Sequence, residues 1–203
     1  MRRLFASVLV IALCAVGSWA AATGPYFGKA STADPADVLK VDYFSNANTS
    51  GAPDGTVRLD NPNTAGINIC AYVFVFDANQ EMSQCCGCLL TPDGLRTLSV
   101  DTDLTSNPLT GVKLSTGAIK FFSVQPVNNT TCPLPGTTTV PQLFEPGLRG
   151  WVTHIQNSNF TTTETASQDA TLSEAENVRT YNECFDIVTV GSGSGVCTCG
   201  TGD

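Results

Sequence analysis

Histidine is almost missing from this chain: the 203 residues contain one, His154. Nucleophilic triads and most zinc hydrolases need a histidine with partners arranged around it, and no motif surrounds this one. Its strand face also carries Gln156, so His154 is expected to be exposed and inert. Basic residues are scarce, 10 Lys and Arg against 18 Asp and Glu, for a formal net charge of -8. So acidic a chain repels phosphate backbones and anionic lipid heads, which argues against nucleic-acid and membrane-surface partners. Beyond residue 16 no apolar run is long enough to span a bilayer. Cofactor and nucleophile signatures are missing too. The GSGSG run at 191–195 is not followed by a helix, as a phosphate-cradling loop would be, and its central residue is Gly193 rather than the serine of a nucleophile elbow. No cofactor is implied.

What is present begins with an N-terminal segment, 1–20, that reads as a secretory signal. Arg2 and Arg3 form a basic start, an apolar stretch follows, and Ser18-Trp19-Ala20 offers a small-x-small cleavage site. Its removal takes away Arg2, Arg3 and Cys14, and moves the formal charge from -8 to -10. The next stretch, 21–36, is rich in Ala, Gly, Ser and Pro and is expected to be a flexible lead-in. Residues 37–203 then suit a single domain.

Eight cysteines belong to that domain: Cys70, Cys85, Cys86, Cys88, Cys132, Cys184, Cys197 and Cys199. An even number in an exported chain points to disulfides ahead of metal. Eight thiols allow on the order of a hundred pairings. If the cluster is extended, Cys86 and Cys88 share one side, as do Cys197 and Cys199, so these four are expected to pair with one another and to pin the tail to a sheet. The competing reading is a closed zinc site made by two Cys-x-Cys pairs. No Cys-x-x-Cys stands in a thioredoxin-like βαβ pattern.

Within 67–88, the stretch around which the chain is organised, lies the most apolar run of the mature chain, 69–76, eight apolar residues without Gly or Pro. It reads as a central strand, with Cys70, Tyr72, Phe74 and Phe76 on one face and Ile69, Ala71, Val73 and Val75 on the other. Further strands are expected at 38–44, 56–60, 95–100, 117–124 and 148–157, with a short last one at 187–190. Tight turns mark 53–55 and 91–94. Five of the 11 prolines fall within 126–146, which is therefore a long surface loop held by Cys132. Residues 157–169 read as a loop or irregular edge. Thr171-Leu172-Ser173-Glu174 forms a capping box that opens a helix, with Leu172, Ala175, Val178, Tyr181 and Phe185 as its apolar stripe. The fold class expected is all-β: an immunoglobulin-like β-sandwich with one C-terminal amphipathic helix packed on it.

Weaker chemical readings remain. Asp101, Asp103 and Asn107 offer oxygen atoms to calcium without the full loop pattern. Asp77, Glu81 and Asp101 are the carboxylates a histidine-free hydrolase would draw on. Asn48, Asn128, Asn129 and Asn159 open glycosylation sequons, read here as loop chemistry.

Three segments, CAYVFVFD from Cys70, CCGC with the following LLTPDGLRTLSVDTDLTSNP, and GSGSGVCTCG near the end, resemble a group of uncharacterised secreted bacterial proteins. The resemblance covers most of 57–108 and the C-terminal part of the chain, and leaves out the proline-rich middle. It implies export and a cysteine framework and carries no activity. The function expected is that of an exported, non-enzymatic, disulfide-stabilised interaction module, in the periplasm, at the cell surface or secreted, with a protein or glycan partner. The alternatives are a secreted carboxylate-dependent hydrolase and a structural zinc-binding protein.

Overall fold

The computed structural model describes residues 27, 37–63, 66–138 and 142–202. The expected signal segment and all of the lead-in except Phe27 lie outside the described residues. Ten strands form two five-stranded sheets among them: β1 (Leu39–Ser45), β2 (Thr56–Asp60), β3 (Ile69–Asp77), β4 (Met82–Leu90), β5 (Leu95–Ser99), β6 (Thr116–Val124), β7 (Arg149–Gln156), β8 (Thr161–Ala166), β9 (Gln168–Ala170) and β10 (Thr201–Gly202). The first sheet runs β4-β3-β6-β1-β9 and the second β10-β5-β2-β7-β8, with neighbouring strands antiparallel. Among the described residues a single α-helix, α1 (Glu174–Val190), follows β9.

β3 shows why a third layer is needed. Ile69, Ala71, Val73 and Val75 enter the core between the sheets, where they meet Val57, Leu59, Leu98, Phe121 and Val152. Cys70, Tyr72, Phe74 and Phe76 face the opposite way into a second apolar cluster with Phe122, Cys184 and Ile187. A strand apolar on both faces requires cover on both. The second sheet covers one face, and α1, Phe27 and part of the proline-rich segment cover the other. Phe27 is 1% exposed, and its ring centroid lies 4.6 Å from that of Tyr72 and 5.2 Å from that of Tyr181. Aromatic pairs of this kind contribute roughly 0.5–1.5 kcal/mol beyond their buried area.

Both open sides of the sandwich are closed by chain that passes from one sheet to the other. On one side β8 of the second sheet leads through Ser167 into β9 of the first, and the Ser167 amide donates to Gly150 O at 2.9 Å. On the other side the tail lies parallel to β4, with Cys85 N donating to Gly195 O at 2.9 Å and Cys197 N to Cys85 O at 3.1 Å. It then pairs as β10 with β5.

The structure revises several local expectations. The strand expected over 95–100 stops at Ser99, where a π-helical turn, Val100–Leu104, begins with Ser99 as its cap. The loop expected over 157–169 contains β8, whose six residues are all exposed. An edge strand with no buried face leaves no apolar alternation to read, although its Thr-rich composition favours extended chain. The helix is capped by Ser173, whose Oγ accepts from Glu176 N at 3.1 Å. Thr171…Glu174 and Ser173…Glu176 both match the box spacing, and Leu172, buried in the second cluster, keeps the chain extended for two residues more. The helix buries Asn177, Thr180, Cys184 and Ile187 and packs Tyr181 of the expected stripe against the same cluster, whereas Ala175 and Phe185 of that stripe are exposed. Two tethers set that rotation, the Cys85–Cys184 disulfide and the bond from Asn177 Nδ2 to Phe27 O at 2.5 Å. Residues 187–190, expected as a strand, form the last turn of α1 because Ile187 continues the buried face.

Candidate functional site

Strand alternation makes the outer face of the second sheet polar. Val57, Leu59, Leu98 and Val152 turn into the core, so Thr56, Arg58, Thr97, Ser99, Trp151 and Thr153 point away from it. The register sets Arg58 between Thr97 and Trp151, and Thr56 between Ser99 and the neighbourhood of Thr153. Thr56 Oγ1 and Thr153 Oγ1 share a hydrogen bond of 2.8 Å. Arg58 forms an ion pair with Glu164 across β7, beside the half-buried Trp151.

At one end of this face an open depression of about 500 Å³ is lined by Thr56, Thr97, Ser99, Thr102, Asp103, Thr198 and Gly200. Five of these seven residues carry hydroxyls. The π-helical turn brings in Thr102 and Asp103, and the tail brings in Thr198. Asp103 holds the two together, accepting from Ser99 N at 2.7 Å and from Thr198 Oγ1 at 2.7 Å. Gly200 has φ +60°, and a Cβ there would lie 2.2 Å from Thr97 O, so only glycine lets the tail approach β5 this closely.

His154, expected exposed, is 2% exposed and lies under the Ser167 crossing. Its face is shared with Val152, and β1 covers it. Nε2 lies 2.7 Å from Thr165 Oγ1 and 3.3 Å from Asp42 Oδ1, while the Tyr43 ring stacks at 4.1 Å. Asp42 Oδ2 accepts from Ser167 Oγ at 3.0 Å. A triad needs hydroxyl and carboxylate on opposite ring nitrogens. Here both meet Nε2, and the buried Nδ1 has no hydrogen-bond partner. The cluster braces the crossing.

The other candidates do not converge. Asp77 Oδ1 accepts from Asn79 N at 2.8 Å and Glu81 N at 2.9 Å, capping its own turn. Asp101 Oδ1 accepts from Asn48 N at 2.9 Å, and Asn107 Nδ2 donates to Gly193 O at 2.8 Å, so the calcium candidates serve separate loops. Asn48 Nδ2 is itself hydrogen bonded to Thr105 and Leu114, whereas Asn128, Asn129 and Asn159 are exposed. A second cleft, of about 470 Å³ between α1 and the first sheet, is lined by Phe76, Asp77, Gln80, Ala118, Lys120, Ala175, Glu176, Arg179 and Thr180. Its cations are engaged: Lys120 with Glu176 at 2.5 Å and Arg179 with Glu183 at 2.7 Å, a pairing that raises the Arg179 pKa.

Among the described residues the cysteines form four disulfides: Cys70–Cys132, Cys85–Cys184, Cys86–Cys197 and Cys88–Cys199, with Cα–Cα distances of 5.5, 5.8, 5.1 and 5.4 Å. Cys70–Cys132 pins the proline-rich segment over β3, and Tyr72 OH donates to Pro133 O at 2.6 Å beneath it. Burial pushes the Tyr72 phenol well above its usual range. Comparison of the chain with protein-family models, with curated proteins and with solved structures finds no match. Among the described residues no helix is long and apolar enough to cross a membrane.

Sequence reasoning missed the hydroxyl-lined face. The alternating positions were visible, but only the pairing of β5, β2 and β7 collects their outward side chains on one surface.

Proposed function

We propose that the protein is an exported, non-enzymatic β-sandwich that serves as an interaction module, with the outer face of the second sheet as its binding surface and a neutral glycan as its partner. The observation that carries this reading is the hydroxyl-lined depression on the same sheet face as Trp151. Sugars present hydroxyls that pair with Ser, Thr, Asp and Arg side chains, and C–H faces that lie against an aromatic ring. Asp54, Asp103 and Glu164 around the face, on a chain of net charge -8, disfavour anionic saccharides. Four disulfides suit an extracellular or periplasmic compartment, and the reading of 1–20 as a secretory signal agrees with it. An immunoglobulin-like kinship belongs to the same proposal and assigns specificity to a site on the scaffold rather than to the fold.

The test uses an intrinsic probe. The chain has two tryptophans, Trp19 and Trp151, and signal removal leaves Trp151 alone. Titration of the mature protein with cello-, chito- and manno-oligosaccharides is expected to change Trp151 emission for one of them. Trp151→Ala is expected to weaken that binding, followed by calorimetry, at least about tenfold at unchanged unfolding midpoint. Absence of binding across the panel, or equal affinity in Trp151→Ala, refutes the proposal.

A further inference from the structure

Two of the disulfides differ from the others in having each other as neighbours. Cys86 and Cys88 project from the same face of β4, and Cys197 and Cys199 project toward them from the tail. The sulfurs of Cys86, Cys88 and Cys199 all lie within 4.8 Å of one another, and that of Cys197 is bonded to Cys86. Four sulfurs from two Cys-x-Cys pairs thus occupy one place, buried except for the half-buried Cys199. Cys70–Cys132 and Cys85–Cys184 belong to the other apolar cluster, on the opposite side of the first sheet.

We propose that Cys86, Cys88, Cys197 and Cys199 form a redox-gated thiolate site for zinc, or for a softer divalent ion such as cadmium. A zinc ion held by four thiolates at about 2.3 Å sets its sulfurs about 3.8 Å apart. The spread of up to 4.8 Å among the sulfurs of Cys86, Cys88 and Cys199 is within about 1 Å of that geometry, and the Cys197 sulfur, freed from Cys86 on reduction, is to join them by side-chain rotation.

Hydrogen bonds hold the two pairs opposed in addition to the S–S bonds. The tail is hydrogen bonded to β4 at Cys85 on both sides of Val196, to Asn107 O through Gly195 N at 2.7 Å, and to Asp103 through both the amide and the hydroxyl of Thr198. Pairing of β10 with β5 holds its far end. A second observation lies on the same face of β4. Gln84, two residues before Cys86, is fully buried, and neither its Nε2 nor its Oε1 has a hydrogen-bond partner. Its amide N–H groups are donors of the type that thiolate ligands accept.

The gate is a dithiol reductant. Each disulfide takes two electrons and two protons from one dithiol, its S–S bond breaks, and the dithiol leaves as its own disulfide, so that two dithiols yield four thiols. Binding of Zn2+ then forms four Zn–S bonds and releases four protons, leaving a site of net charge -2. Reoxidation by a disulfide-class oxidant reverses this: two oxidant disulfides each accept two electrons and two protons and leave as dithiols, the two bridges re-form, and the metal is released as Zn2+.

The mature protein would be reduced with dithiothreitol, desalted without oxygen, and titrated with Zn2+ or Cd2+. Bound metal would be read by elemental analysis and thiolate-to-cadmium absorption, and free thiols by alkylation and peptide mass. One metal per chain is expected after reduction and none before, with Cys86, Cys88, Cys197 and Cys199 shielded from alkylation. The Cys197→Ser/Cys199→Ser variant is expected to lose the metal. The Cys70→Ala/Cys132→Ala variant is expected to keep it, which controls for partial unfolding on reduction. Absence of metal after reduction, retention of metal by Cys197→Ser/Cys199→Ser, loss from Cys70→Ala/Cys132→Ala, or shielding spread over all eight cysteines each overturns the proposal.

Discussion

Gly87 separates Cys86 from Cys88 and faces the way Cys85 faces, toward the cluster beneath α1. A Cβ at this position would lie 2.8 Å from Tyr72 Cε1 and 2.9 Å from Cys132 O. The backbone of Gly87 is where the Tyr72 ring rests, with the Cys70–Cys132 bridge above it. The four residues of the CCGC run are thus divided by strand alternation: Cys85 reaches α1, Cys86 and Cys88 reach the tail, and Gly87 leaves room. Gly87→Ala forces the Tyr72 ring or the Cys132 backbone to move and is expected to cost about 1–3 kcal/mol, read as a lowered urea midpoint at unchanged slope. Because the four disulfides do not depend on this residue, an intact mass unchanged apart from the added methylene group accompanies the loss.

At the scale of elements, α1 is placed by its tethers more than by its apolar content. The side chains it buries include Asn177 and Thr180, and its inward anchor is Cys184. Its start depends on one hydroxyl. Ser173→Ala removes the acceptor for Glu176 N and is expected to cost about 1 kcal/mol. Thr171→Ala, in the alternative box register, is expected to change stability by less than about 0.5 kcal/mol. A pair of thermal or urea melts separates the two. The same sequence spacing supports both registers, and burial of Leu172 decides between them.

On the scale of the whole molecule, the two crossings that close the open sides of the sandwich are fastened differently. The tail is covalently held, whereas β9 is held on β1 by Lys40, a buried amine bonded to Asp169 at 2.6 Å and Asp37 at 2.9 Å. Burial opposes the charge on Lys40, but the two carboxylates outweigh it, and its pKa is raised. A raised folded-state pKa contributes stability that is fully present below the ordinary lysine value of about 10.5 and is lost as pH rises through the folded value. The stability of the native protein is therefore expected to fall above about pH 10.5, and the fall to be smaller in Lys40→Met, which has no such proton to lose. Unfolding free energies at matched alkaline pH for the two proteins check this, the tyrosine contribution being common to both.

Much of this architecture is written in local pattern. The two-faced strand at 69–76, the alternation of 56–60 and 117–124, the helix after residue 171, and the common side of Cys86 and Cys88 all follow from side-chain period and burial preference, which each segment carries in itself. What alternation alone does not contain is partnership. β8 shows no buried face because it is an edge, and His154 is buried because β1 crosses over β7, a contact between residues more than a hundred positions apart. The hydroxyl face exists only once β5, β2 and β7 lie side by side with the tail beyond them. Local sequence thus determined which side chains avoid water, and the tertiary structure alone decided which of the remaining polar groups meet.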